Sequence, residues 1–252
     1  MHRLIMLSKV YQESSDSQVQ AEAVDPDNSL LWHYDRHRLE GEVIRDSMLS
    51  VSGLLNSKLG GPGVNPPLPA GAAGPAAGAG GAAGGSGRAA KGGIAAGDPA
   101  DANRRSVYVF VRRNMVYPML DAFDEPNPQE TCGRRFRSVI PSQSLILMND
   151  ALVLDWARAL AGRVLNDSGL SLDQQVDRAY RLALSRPPAA AERDAVLDFL
   201  DRQSSLLAEA LARNEKPPMP EALPAGMKPA RAAAFVDFCH ALINSNEFLY
   251  AN

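Results

Sequence analysis

Seven arginines crowd the stretch from Arg104 to Arg137, at positions 104, 105, 112, 113, 134, 135 and 137, against four acids, Asp121, Asp124, Glu125 and Glu130. The segment carries +3, while the rest of the chain carries −6. Arginine's planar fork suits carboxylate, sulfate or phosphate. Four of these side chains are candidate anion ligands: Arg112 and Arg113 at the end of a strand-like run, Arg134 and Arg135 in a loop downstream. If the strand end lies near that loop, an anion pocket results, suited to an anionic glycan. The competing reading pairs these arginines with the neighbouring acids or with acidic helices.

Two further patterns carry ionisable groups. His33, His37 and Glu40 stand at i, i+4 and i+7, a metal-like spacing on a helix, but Asp35 and Arg36 between them make the stretch a solvated face, and no metal site is assigned. Arg38, Glu42, Arg45 and Asp46 recur three or four residues apart, which predicts a structural ion network along one helix. Such exposed pairs contribute roughly a few tenths of a kcal/mol each.

Several chemistries find no support. The chain has no G-x-S-x-G elbow, no G-x-x-x-x-G-K-[ST] loop, no H-E-x-x-H and no paired C-x-x-C, so no catalytic residue is assigned. Cys132 and Cys239 cannot complete a metal cage, and Cys239-His240 lacks the upstream cysteine of a haem attachment motif. A net charge of −3 argues against nucleic acid as a partner. No apolar run is long enough to span a bilayer. Met1 to Leu7 reads as the middle of an amphipathic helix, with Leu4, Leu7 and Tyr11 on one stripe, so the chain is expected to begin inside a larger domain.

The elements that must position these residues are mostly helical. A turn at Asp25-Pro26-Asp27-Asn28 precedes Leu30-Leu31-Trp32 and a helix through about Leu55, striped by Ile44, Met48, Val51 and Leu55. From Gly60 to Gly97 lie 14 of the 20 glycines, with alanine and proline. Residues 60–103 are therefore expected to form a disordered Gly/Ala/Pro-rich insert. Ser106 to Val111 predicts a strand from its β-branched and aromatic residues. Short helices follow, one over Met115–Phe123 with Pro118 in its first turn, another from Pro141 to about Asn149. A longer one carries Leu152, Trp156, Leu160 and Val164. Ser171-Leu172-Asp173-Gln174 spells a capping box. The helix it opens, striped by Val176, Tyr180 and Ala183, ends at Pro187-Pro188, which pre-sets the first turn of the next helix, up to about Arg213. A last one, from Ala230 to about Asn244, buries Phe235, Phe238, Leu242 and Ile243. The expected fold is mainly α, an irregular multi-helix domain with at most a minor short β element. Residues 1–59 form its N-terminal part, and 104–252 the arginine-rich segment and C-terminal helices of the same domain.

Leu30-Leu31-Trp32, Arg36 to Asp46, Arg105-Ser106-Val107-Tyr108, Phe123-Asp124-Glu125-Pro126, Thr131 to Arg135, Pro141 to Leu145, Met148-Asn149-Asp150 and Leu242 to Phe248 occur in order. This ordered set resembles the C-terminal domain of unknown function in large planctomycete proteins, where a planctomycete-type cytochrome c domain often lies upstream. The resemblance implies an exported, periplasmic or envelope-associated protein. It places any haem in the upstream part, with no cofactor in this segment. It also implies partners in the rest of the parent protein or in other envelope proteins. It supplies no catalytic residues, which favours an interaction or scaffold module over a hydrolase or redox-coupled enzyme acting on an anionic polysaccharide.

Overall fold

The computed structural model describes residues 1–66, 99–111, 117–167, 169–223 and 226–251. It is mainly helical, and its β structure among the described residues is one two-stranded sheet and isolated bridges. The chain divides into two units, Met1–Leu39 with Asn246–Asn252, and Glu40–Ser245.

The smaller unit holds α1 (His2–Met6), α2 (Val19–Val24), β1 (His37–Arg38), α10 (Asn246–Leu249) and β2 (Tyr250–Ala251). β1 and β2 pair antiparallel, His37 opposite Ala251 and Arg38 opposite Tyr250. The two helices near its start bury no residue. Order comes instead from polar side chains in the turn after α2. Asp25 and Asn28 are both buried. Asp25 accepts from the backbone of Ser29 and Leu30 and from the Ser29 hydroxyl, and Asn28 Oδ1 accepts from Trp32 N at 2.9 Å.

The larger unit is built on α3 (Gly41–Ser52), α4 (Pro118–Ala122), α5 (Pro141–Asn149), α6 (Ala151–Leu165), α7 (Leu172–Leu184), α8 (Ala190–Ala212) and α9 (Pro229–Ile243). α9 packs on both α6 and α8, and α6 on α3. From Ala230 to Ile243, α9 buries ten side chains, as a helix enclosed by others must. α6 buries Val153, Trp156, Ala157, Leu160, Ala161 and Val164, at helical intervals. Its alanines let helix backbones approach closely. Phe238 stacks with Tyr180 and meets Phe235 edge-on. α7 opens on the expected box: Ser171 Oγ accepts from Gln174 N, and Gln174 Oε1 accepts from Ser171 N at 2.8 Å. At the start of α8, Glu192 accepts from Ala189 N and forms a two-pronged pair with Arg186, and chiefly this hydrogen bonding holds its carboxyl at about 2. Gly41 lets α3 meet α4, since a Cβ there would lie 2.9 Å from that of Phe123.

Three expectations need correction. The run Ser106–Val111 is not a strand. Ser106–Tyr108 form a 3-10 turn, followed by one bridge between Val109 and Val64. Local propensity loses here because Asp46 accepts from both Ser106 N and Ser106 Oγ at 2.7 Å, which holds the segment in a turn against α3. The helix ending near Leu55 begins only at Gly41 and stops at Gly53, whose φ of 80° closes it in the left-handed region. His33, His37 and Glu40 therefore share no helical face. The third concerns the borders of the insert. Residues 60–66 and 99–103 belong to the fold: Val64 is buried and exchanges backbone bonds with Tyr108 and Phe110, and residues 99–103 form a 3-10 helix. Residues 67–98, the body of the expected insert, lie outside the described residues.

Candidate functional site

The arginine-rich segment contributes two different kinds of structure. Arg104 and Arg105 lie beside α3 and the borders of the insert. Arg104 is fully buried, and its guanidinium donates to the carbonyls of Lys58, Gly60 and Pro62 while lying 3.7 Å from the centre of the Tyr108 ring. Arg45, 1% exposed, reaches from α3 to the carbonyls of Ala102 and Arg104 and to Ser106 Oγ, at 2.8 to 3.1 Å. Burial lowers its pKa, opposed by Tyr117 and Asp46. Tyr117, itself buried, lies close enough to Arg45 for each to influence the other's charge.

The second structure is a loop whose ends are tied together. Asp124, with φ of 64°, accepts from Ser138 N at 2.8 Å and Ser138 Oγ at 2.7 Å. Gln143, buried on α5, donates to the carbonyls of Ala122 and Ser138. The loop so closed walls a cleft of about 390 Å³ that includes Glu125, Glu130, Cys132, Arg134 and Arg135. Arg135 turns its fork onto α3: Nη1 and Nη2 each lie 2.9 Å from an oxygen of Glu42, and Nη1 lies 3.1 Å from Glu40. Glu42 is desolvated, which opposes ionisation, but the hydrogen bonds from Arg135 outweigh this and hold its carboxyl below the ordinary value. Glu125 goes the other way, raised by desolvation and by the charges of Glu42 and Asp121 against the pull of Arg135.

Of the four candidate anion ligands, Arg112 and Arg113 lie outside the described residues. Arg134 is exposed on the cleft, and Arg135 is engaged by carboxylates. Of the expected network, Arg38 sits on β1 rather than on α3, donating to Leu39 O at 2.9 Å. Glu42 takes its partner from 93 residues away, and Arg45 and Asp46 both turn toward Ser106, 3.6 Å from each other. Two features escaped the sequence reading. One is the Glu40–Arg135 contact, for which no local pattern exists. The other is the burial of Arg45 and Arg104. Arg45's place among Ile44, Met48 and Leu49 could have hinted at that burial. Both cysteines are free thiols, Cys132 exposed and Cys239 buried, and burial pushes the Cys239 thiol far up.

The cleft yields a pH-dependent prediction. Because folding raises the Glu125 pKa above its ordinary 4.5, its ionised form costs stability once the pH exceeds the folded value, and that cost disappears in acid. Glu125→Gln is expected to melt higher than the parent at pH 7, with the gap closing as the pH falls below 4.5. Thermal melts at pH 7 and pH 4 check this, and equal gaps at both would refute it.

This is a mainly helical fold which, among the described residues, has no cluster of three or more His, Cys, Asp or Glu able to hold a metal. No helix among those residues is long and apolar enough to cross a membrane. The chain belongs to the PSD1 family, described as a protein of unknown function (DUF1553), whose profile matches residues 1–200. No curated protein and no solved structure matches it.

Proposed function

We propose that the chain is a helical interaction module of a larger exported, cytochrome-c-associated protein, docking its partner through α5 and the loop before it. One observation carries this reading. Phe136, Val139, Ile140, Leu145 and Met148 are each between 46% and 86% exposed, although α5 buries Gln143 and Leu147 on its other side. Arg134 and Arg137 flank Phe136, so the partner expected is a protein segment offering apolar side chains bordered by carboxylates. Any haem belongs to the upstream part of the parent protein. The rival reading, an enzyme holding an anionic polysaccharide with arginines, is weakened by the engagement of Arg135 with Glu42 and Glu40.

A photo-crosslinking residue at position 145, in the native host, is expected to give discrete protein adducts that Met148→Asp suppresses. The same residue at position 202, on the exposed face of α8, should give none. Equal labelling from both positions would remove the docking face. Turnover of a sulfated or uronate oligosaccharide by the purified chain, lost in Arg134→Ala, would establish the enzyme instead.

A further inference from the structure

We propose that the smaller unit carries a binding cleft for a neutral pyranose ring, with Trp32 as its aromatic platform. The cleft, of about 300 Å³, is lined by Trp32 together with Lys9, Gln12, Glu13, Asp16 and Gln18. That volume sits at the small end of ligand clefts, sized for one or two sugar rings rather than a larger ligand.

The case starts with how firmly Trp32 is held. Leu31, just before it, has φ of 55°, a left-handed conformation costly for a leucine, and its side chain is 58% exposed, so burial does not repay the strain. The turn imposes it. Leu31 N donates to Asn28 O, Trp32 N to Asn28 Oδ1, and Asn28 Nδ2 to His33 O. The indole Nε1 donates to Asp25 O at 2.8 Å, which fixes the ring as well as the backbone. With its N–H satisfied internally and the His33 ring 4.0 Å away on one side, what Trp32 has left to offer a ligand is the apolar part of its ring that lines the cleft. Tyr34 N donates to Ser14 O at 3.0 Å, so the stretch bearing the polar lining is tied to the turn bearing the tryptophan.

Around that face stand an ammonium, two carboxylates and two amides. Among the described residues the side chains of Lys9, Glu13 and Gln18 make no hydrogen bond to the protein. An apolar ring face beside mixed donors and acceptors complements a pyranose, which presents C–H groups on one side and hydroxyls at its rim. The charges select within that class. Glu13 and Asp16 outnumber Lys9, so a sulfated or uronate sugar meets net repulsion and a neutral one does not.

The chain holds two tryptophans, and Trp156 is 4% exposed in the larger unit, so Trp32 dominates any ligand-dependent change in fluorescence. The full chain is titrated with neutral β-1,4-linked hexaoses of glucose, mannose and xylose, and with a chondroitin sulfate hexasaccharide. At least one neutral probe is expected to give a saturable emission change and to protect Trp32 from acrylamide. Gln18→Ala should weaken that binding about fivefold, the loss of roughly one hydrogen bond, with an unchanged melting temperature. Trp32→Ala, followed by calorimetry, should abolish it. Absence of saturation by any neutral probe up to about 10 mM, where even weak sugar sites fill, overturns the proposal. So does affinity unaffected by Gln18→Ala, or a preference for the sulfated probe. Because every residue varied lies outside α5 and its loop, failure here leaves the docking face untouched.

Discussion

Replacing Arg45 with methionine is expected to destabilise the protein by about 3–5 kcal/mol, the range seen when a buried charged partner is removed. For a chain of this size that lowers the melting temperature by on the order of 10 °C. Methionine keeps much of the volume, so the loss reports hydrogen bonding more than a cavity. Three acceptors, the carbonyls of Ala102 and Arg104 and the hydroxyl of Ser106, lose their donors in a place water reaches poorly. Asp46 is left with the Ser106 amide and hydroxyl and with Arg105 at 3.6 Å. Arg45→Lys should recover only part of the loss, because a single ammonium cannot serve acceptors spread across a fork. Urea unfolding followed by circular dichroism measures both variants. A methionine variant as stable as the parent would show that those carbonyls find other donors and that Arg45 is dispensable.

Arg104→Ala is expected to cost about 3 kcal/mol, the sum of buried carbonyl contacts and the face of Tyr108 lost together. Its effect should be concentrated locally. The carbonyls of Lys58, Gly60 and Pro62 all converge on this one guanidinium, so backbone amides from 56 to 64 should exchange with solvent much faster than those of α9. Tyr108 should loosen with them, since its hydroxyl accepts from Gly60 N at 2.8 Å. Combined with Arg45→Met, the loss should fall short of the two single losses added, because Arg45 grips the carbonyl of Arg104 itself. Full additivity, or exchange accelerated equally in α9, would mean the two arginines act separately on global stability.

What the sequence disclosed was local, and what it concealed was long-range. The capping box at Ser171 needs four consecutive residues, and Pro118, Pro141 and Pro229 each stand at the first helical position of their elements. α9 could be recognised because nearly all its positions are apolar. Ser106 to Val111 misled because its β-branched residues favour extension, whereas its conformation is decided by Arg45 and Asp46, about 60 residues earlier. The segment 33–40 misled because charges at helical spacing occur just as well in a loop. The candidate site suffered most. Arg135 looked available to a ligand, and only the approach of α3 to the loop reveals Glu40 and Glu42 in its fork.

The seam where Asn56 meets Arg104 and Val64 meets Val109 has a practical corollary. Arg45 and Asp46 hold residues 102–106 against α3, and Arg104 in turn holds the carbonyls of Lys58, Gly60 and Pro62, so the described residues before and after 67–98 meet in one fastened seam. A fluorescent protein or affinity tag spliced between residues 66 and 99 would be carried on flanks that already pair with each other, with both α5 and Trp32 left unaltered in sequence. That position offers a handle for reporting on the molecule inside its host.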